Sequence, residues 1–207
     1  MRRIAEDVVG EAVERFHPRL VLACSFQKEE SVLIDMLMRV APDARVFTID
    51  TGVLFPETYA IWKQVEDRYG LKVEIYDASN PDRPWTGGDH CCSAQKVTAL
   101  ETALTDVDAW ITGIRRDQAP TRADAPKLGW DAAHELWKAN PLADWSDADC
   151  WAYIHERELP YNALHDRGYD SIGDTHSTIP GAGREGRWAG TGRTECGLHV
   201  APPEVMS

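Results

Sequence analysis

The sequence predicts an α/β domain, a mainly parallel sheet covered by helices on both faces. Short apolar runs of strand length alternate with amphipathic stretches of helical period, and three of those runs end in polar or glycine-containing turns. The chain has 207 residues, 43% hydrophobic and 9% aromatic, enough for one continuous core and a short appended arm.

The elements follow in order. Ile4, Val8, Val9, Ala12, Val13 and Phe16 recur at helical spacing with acids between them, and Pro18 stops that helix. Leu20 to Cys24 reads as a buried strand, Ser25 to Ser31 as a polar turn, and Val32, Leu33, Met36 and Leu37 as the apolar face of the next helix. Arg45 to Asp50 is a strand, Pro56 to Tyr69 a helix opened by proline, and Leu71 to Tyr76 a strand. Ser93 to Leu104 and Asp108 to Gly113 supply another helix and strand. From Pro141 the pattern changes: Ser146, with Asp149 three residues on, caps a helix running to about Glu156. Ile179 to Gly192 holds five glycines and a proline, which predicts a mobile arm. The expected division is a single α/β domain over 1–178 and an arm over 179–207.

The net charge of −12 disfavours nonspecific binding to nucleic acid or an anionic membrane. No run approaches the length of a membrane span, and no secretion signal follows Met1-Arg2-Arg3, so a cytoplasmic location is expected. Five cysteines (Cys24, Cys91, Cys92, Cys150 and Cys196), odd in number and without paired spacing, point to a reducing compartment with at least one free thiol. Arginine outnumbers lysine 16 to 6 and clusters late in the chain, where it suits bidentate recognition of phosphate or sulfate.

Parallel sheets bind ligands beyond the carboxyl ends of their strands, so the three turns there are the place to look. Ser25 to Ser31 offers backbone N–H groups and a helix N-terminus to an anion, with Lys28 adding charge, although an ordinary surface connection has the same composition. Arg115, Arg116 and Arg122 follow one strand, and Arg184, Arg187 and Arg193 lie on or beside the glycine-rich arm; they read as an anion site or as a solvated basic face. Cys196 sits among Glu195, Gly197 and His199 rather than apolar neighbours, the setting of a nucleophile. Cys91-Cys92 suits a pair of soft metal ligands, which Asp174 and His176 could complete as a mixed site, while Cys24 and Cys150 read as packing residues. Trp188 could close over a purine.

Five stretches together resemble the assimilatory adenylyl-sulfate and phosphoadenylyl-sulfate reductases. They are Ser25-Phe26-Gln27-Lys28-Glu29-Glu30, Ile49-Asp50-Thr51-Gly52 with Pro56 to Tyr59, Gly113 to Gln118, Leu159-Pro160-Tyr161-Asn162, and Glu195-Cys196-Gly197-Leu198-His199. The resemblance implies a Rossmann-like adenine-nucleotide α-hydrolase fold and a cysteine, Cys196 here, that takes the sulfonyl group before thioredoxin or glutaredoxin releases sulfite. Carried over by position, Ser25, Phe26 and Lys28 would meet the nucleotide and Ile49, Asp50, Thr51 and Gly52 the adenosine. Gly113, Arg115 and Arg116 would add substrate contacts, and Lys96, Arg122, Arg184, Arg187 and His199 would surround the phosphosulfate.

The family's adenylyl-sulfate branch holds a [4Fe–4S] cluster on a Cys-Cys pair and a later Cys-x-x-Cys. Here Cys91 and Cys92 keep the pair, but Asp174 and Ser177 stand at the later positions, the pattern of cluster-free enzymes acting on phosphoadenylyl sulfate. No cofactor and phosphoadenylyl sulfate are therefore expected. The alternatives are adenylyl sulfate as substrate, releasing AMP, and a [4Fe–4S] cluster as cofactor, for which the Phe26–Glu30 loop, the Cys91-Cys92 pair and Arg184–Trp188 speak, then an ATP-dependent ligase with a related phosphate loop, and a nucleotide-binding module without catalysis.

Overall fold

The computed structural model describes residues 4–79 and 94–188. Among them, six strands form one sheet in the order β3-β2-β1-β4-β6-β5. The strands are β1 (Leu20–Ala23), β2 (Arg45–Asp50), β3 (Glu74–Asp77), β4 (Ala109–Ile111), β5 (Leu128–Asp131) and β6 (Leu136–Ala139). All neighbours are parallel except β5, which lies antiparallel on β6 at the edge. The helices are α1 (Ala5–Phe16), α2 (Lys28–Val40), α3 (Pro56–Tyr69), α4 (Ala94–Ala103) and α5 (Asp147–Glu156).

The period of two in the strands sorts side chains onto two cores. Leu20, Leu22, Val46, Ala109 and Ile111 pack with α1, α2, α3 and α5, while Val21, Phe47, Trp110 and Leu136 pack with α4. A fully buried leucine or valine contributes about 1.5–3 kcal/mol, so losing one of these layers would unfold the domain. Right-handed crossovers explain the arrangement. The chain steps outward from β1 to β2 to β3 through α2 and α3, then returns past β1 to β4 through α4. Reversing direction with the same hand moves α4 to the opposite face. The reversal leaves a crevice between the carboxyl ends of β1 and β4.

Two expectations are revised. The third strand starts at Glu74 rather than Leu71, because the chain after Gly70 (φ 63°) needs three residues to regain the sheet. The β5–β6 hairpin was not anticipated. Its strands are four residues each, and the turn between them, Ala132-Ala133-His134-Glu135, is made of helix-tolerant residues without the usual turn punctuation. The serine-capped helix is α5, with Ser146 Oγ accepting from Asp149 N–H and Asp149 Oδ2 accepting from Ser146 N–H.

Candidate active site

A cavity of about 470 Å³ opens at the β1–β4 crevice, lined by the ends of β1, β2 and β4, the start of α2, and the segments 170–174 and 183–187. Its volume lies in the range of small-ligand sites. The turn beneath it is fixed by Phe26, whose backbone is left-handed (φ 57°) and whose ring stacks on Trp62 at 5.4 Å. Phe26 thus faces the core and does not line the cavity, contrary to its expected substrate contact. Ser25 Oγ and Gln27 N–H both donate to Glu30 Oε2, at 3.0 and 3.1 Å, tying the turn to the first turn of α2. Burial, reinforced by the charge of Glu29, pushes the Glu30 carboxyl up to about 7. A Cβ on Gly113 would stand 2.4 Å from Glu30 Oε1, so only glycine lets the end of β4 approach α2 this closely.

Lys28 and Arg115, both buried, are held by carboxylates. Lys28 Nζ lies 2.8 Å from Asp147 Oδ1 and donates to Asp170 O at 3.0 Å. Arg115 donates from Nε to Glu29 (3.0 Å), from Nη1 to Asp117 (3.0 Å) and from Nη2 to Asp147 (3.1 Å). Burial opposes the charge on Asp147, yet hydrogen bonding and charge from Lys28, with Arg115 beside it, hold its carboxyl below the usual range. Two cations facing three carboxylates lend the cavity no net positive charge.

Positive charge enters from other elements. Lys96 on α4, Arg122 at the end of a one-turn 3-10 helix (Pro120–Arg122), and Arg184 and Arg187 after Pro180 all line the cavity. Arg187 donates from Nη1 to Ile172 O (2.8 Å) and Ser171 Oγ (3.3 Å), both neutral oxygens. Ser171 Oγ and Ile172 N–H in turn donate to Gln27 Oε1, which joins the 170–174 segment to the turn before α2. Trp188 is 1% exposed with the Arg184 and Arg187 guanidinium carbons 5.0 and 4.7 Å from its ring centre. It anchors the described part of the arm, and its ring is not free to close over a purine.

The other expected residues divide clearly. Ser25, Ile49, Thr51, Gly113 and the cations above except Arg116 line the cavity. Asp50 and Gly52 do not: Asp50 Oδ1 accepts from Gly52 N–H and Tyr59 Oη, each at 2.8 Å, and so shapes the turn behind them. Arg116 is exposed and donates to Ala125 O at 2.9 Å, outside the cavity. Cys91, Cys92, Cys196 and His199 lie outside the described residues. Sequence reasoning missed Gln27, Glu29, Gln118 and Asp147 as partners; the quoted motifs contained the first three, but their contacts join residues 86 to 145 apart in the chain.

The segment 173–178 closes on Asp174. Its Oδ1 accepts from His176 N–H (3.0 Å) and Ser177 N–H (2.8 Å), and its Oδ2 from Ser177 Oγ (2.7 Å). The positions where the adenylyl-sulfate branch places two cluster thiolates therefore carry a hard carboxylate and a hydroxyl bonded to each other. These residues do not fit a [4Fe–4S] cluster, which needs soft thiolate ligands.

Residues 19–180 match the phosphoadenosine phosphosulfate reductase domain. The chain is 42% identical over 212 residues to an adenosine 5'-phosphosulfate reductase of Geobacillus kaustophilus, covering 95% of this chain and 90% of that one. It is also 42% identical over 215 residues to a phosphoadenosine 5'-phosphosulfate reductase of Gloeobacter violaceus, covering 94% and 88%. Its fold superposes on the phosphate complex of phosphoadenylyl-sulfate reductase from Candida auris with a TM-score of 0.71 at 31% identity, over 86% of this chain and 91% of that one. With the nucleotide-sized cavity at the switch point of the sheet, these matches place the chain in the phosphoadenosine phosphosulfate reductase family.

Proposed function

We propose that the chain reduces the activated sulfate of phosphoadenylyl sulfate to sulfite, with Cys196 as nucleophile and thioredoxin or glutaredoxin as reductant. The observation that carries this reading is the meeting of Lys96, Arg122, Arg184 and Arg187, from separate segments, at one cavity beside a βα phosphate turn. The Cys196 thiolate attacks the sulfonyl sulfur; an S–S bond forms, the S–O bond to the phosphate breaks, and adenosine 3',5'-bisphosphate leaves with the electron pair. A thiolate of the reductant then attacks Cys196 Sγ and expels sulfite, and its second thiol resolves the mixed disulfide. The cavity cations would offset the repulsion between an anionic nucleophile and an anionic substrate, and would stabilise the leaving phosphate.

Cys196 lies eight positions after Trp188, a reach of at most roughly 26–29 Å. That reach supports residues 179–207 acting as an arm anchored at Trp188, whose part beyond that residue carries the thiol between nucleotide and reductant. The need for a dithiol reductant fits a cytoplasmic enzyme, and no helix among the described residues is long and apolar enough to cross a membrane. The Asp174–Ser177 pairing supports a cluster-free enzyme and, with it, the 3'-phosphorylated substrate.

Adenylyl sulfate, releasing AMP, is the second reading, favoured by the name of the Geobacillus kaustophilus relative. Sulfite release from each nucleotide with reduced thioredoxin separates the two. A higher kcat/KM for phosphoadenylyl sulfate is expected; the reverse order would transfer the assignment to adenylyl sulfate, and sulfite from neither would refute both.

A further inference from the structure

Gln118 joins the buried ion pairs to the cavity wall. Its Nε2 donates to Glu29 Oε1 at 3.0 Å, the same oxygen that receives Arg115 Nε. Its Oε1 accepts from Arg115 N–H at 3.0 Å and from Arg122 Nη1. The amide has only one workable orientation, because a carboxylate only accepts and a guanidinium only donates. Glu29 is itself fixed, its side chain 6% exposed and ion-paired to Arg115. Arg122, 8% exposed, lines the cavity one turn beyond Gln118.

We propose that Gln118 is a positioning residue that links the fixed Glu29–Arg115 pair to Arg122 and thereby sets where the Arg122 guanidinium stands against the anionic group of the nucleotide. This rests on the reading of the cavity as a nucleotide site. It gives Arg115 and Lys28 a role different from substrate contact: they hold the carboxylates of the frame, and Arg122 delivers the charge.

The test is a double-mutant cycle on the full-length enzyme with Gln118→Leu, Arg122→Ala and the pair. It is read on KM and kcat for sulfite release, and on calorimetric affinity for adenosine 3',5'-bisphosphate. Arg122→Ala should weaken both KM and affinity about 10- to 100-fold, the size of a lost charge-assisted contact. Gln118→Leu should raise KM and weaken affinity at least about 5-fold with kcat within about twofold, and the double variant should match Arg122→Ala alone. A purely structural role would instead make the effects multiply in the double variant, which overturns the proposal. So would wild-type affinity in Gln118→Leu, or no effect of Arg122→Ala. Enzyme that binds the bisphosphate but makes no sulfite would refute the reductase reading, and the cycle on affinity would still decide the role of Gln118.

Discussion

Glu30 is a carboxyl buried beneath the cavity, and burial raises it from an ordinary 4.5 to about 7. The folded chain then binds this proton more tightly than the unfolded chain. The resulting stability is complete below about pH 4.5 and is lost as pH rises through 7, on the order of 3 kcal/mol in all. Glu30→Gln keeps an acceptor for Ser25 and Gln27 but cannot ionise. Thermal unfolding from pH 5 to 8 should show the variant gaining on the wild type as pH rises; parallel curves would remove Glu30 from the titration. Among the arginines the contrast is sharper. Arg187 rests on neutral oxygens in the cavity wall, whereas Arg15 pairs with Glu11 on the outer face of α1. Arg187→Ala and Arg184→Ala should each cost about 1–3 kcal/mol of substrate handling, measured as kcat/KM, and Arg15→Ala should leave it within about twofold. Equal values in all three would remove Arg184 and Arg187 from substrate binding.

At the scale of elements, the loop 173–178 is organised by one carboxylate. Asp174 gathers three donors from its own loop, two from backbone and one from Ser177, in a buried place. Asp174→Ala leaves them without an acceptor, and unfolding by denaturant should register a loss on the order of 3 kcal/mol. A variant as stable as wild type would mean that water replaces the carboxylate there. The alternation of strands and helices up to β4 and the capped α5 could be read from periodicity and capping residues, because those signals are local. The β5–β6 hairpin could not, since its strands are four residues each and β6 is held in the sheet by parallel pairing with β4, from a distant part of the sequence. The site divides in the same way. That cations gather near the carboxyl ends of strands was legible; which of them are neutralised was not. Lys28 looks available beside its own turn, yet its partners, Asp147 and Asp170, lie more than a hundred residues away. Phe26 sits within a binding motif, but its left-handed backbone turns the ring into the core.

Across the whole molecule, a chain of net charge −12 brings Arg115, Arg122, Arg184 and Arg187 to one cavity. Beyond about 8 Å at physiological ionic strength the outer charge is largely screened, so an anionic nucleotide meets the cavity's own field once it arrives. The topology supplies the rest: the reversal at β1 creates the crevice, α2 turns its N-terminus to it, and the segments after α5 bring Arg184 and Arg187 over the top. The most direct test of the proposed chemistry is intact-protein mass spectrometry after incubation with phosphoadenylyl sulfate in the absence of a reductant. Wild-type protein should gain one sulfonate, located on Cys196 by peptide mapping, and reduced thioredoxin should discharge it as sulfite; Cys196→Ser should gain none. Sulfite formed by Cys196→Ser, or an adduct mapping to another cysteine, would contradict the assignment of Cys196 as the nucleophile.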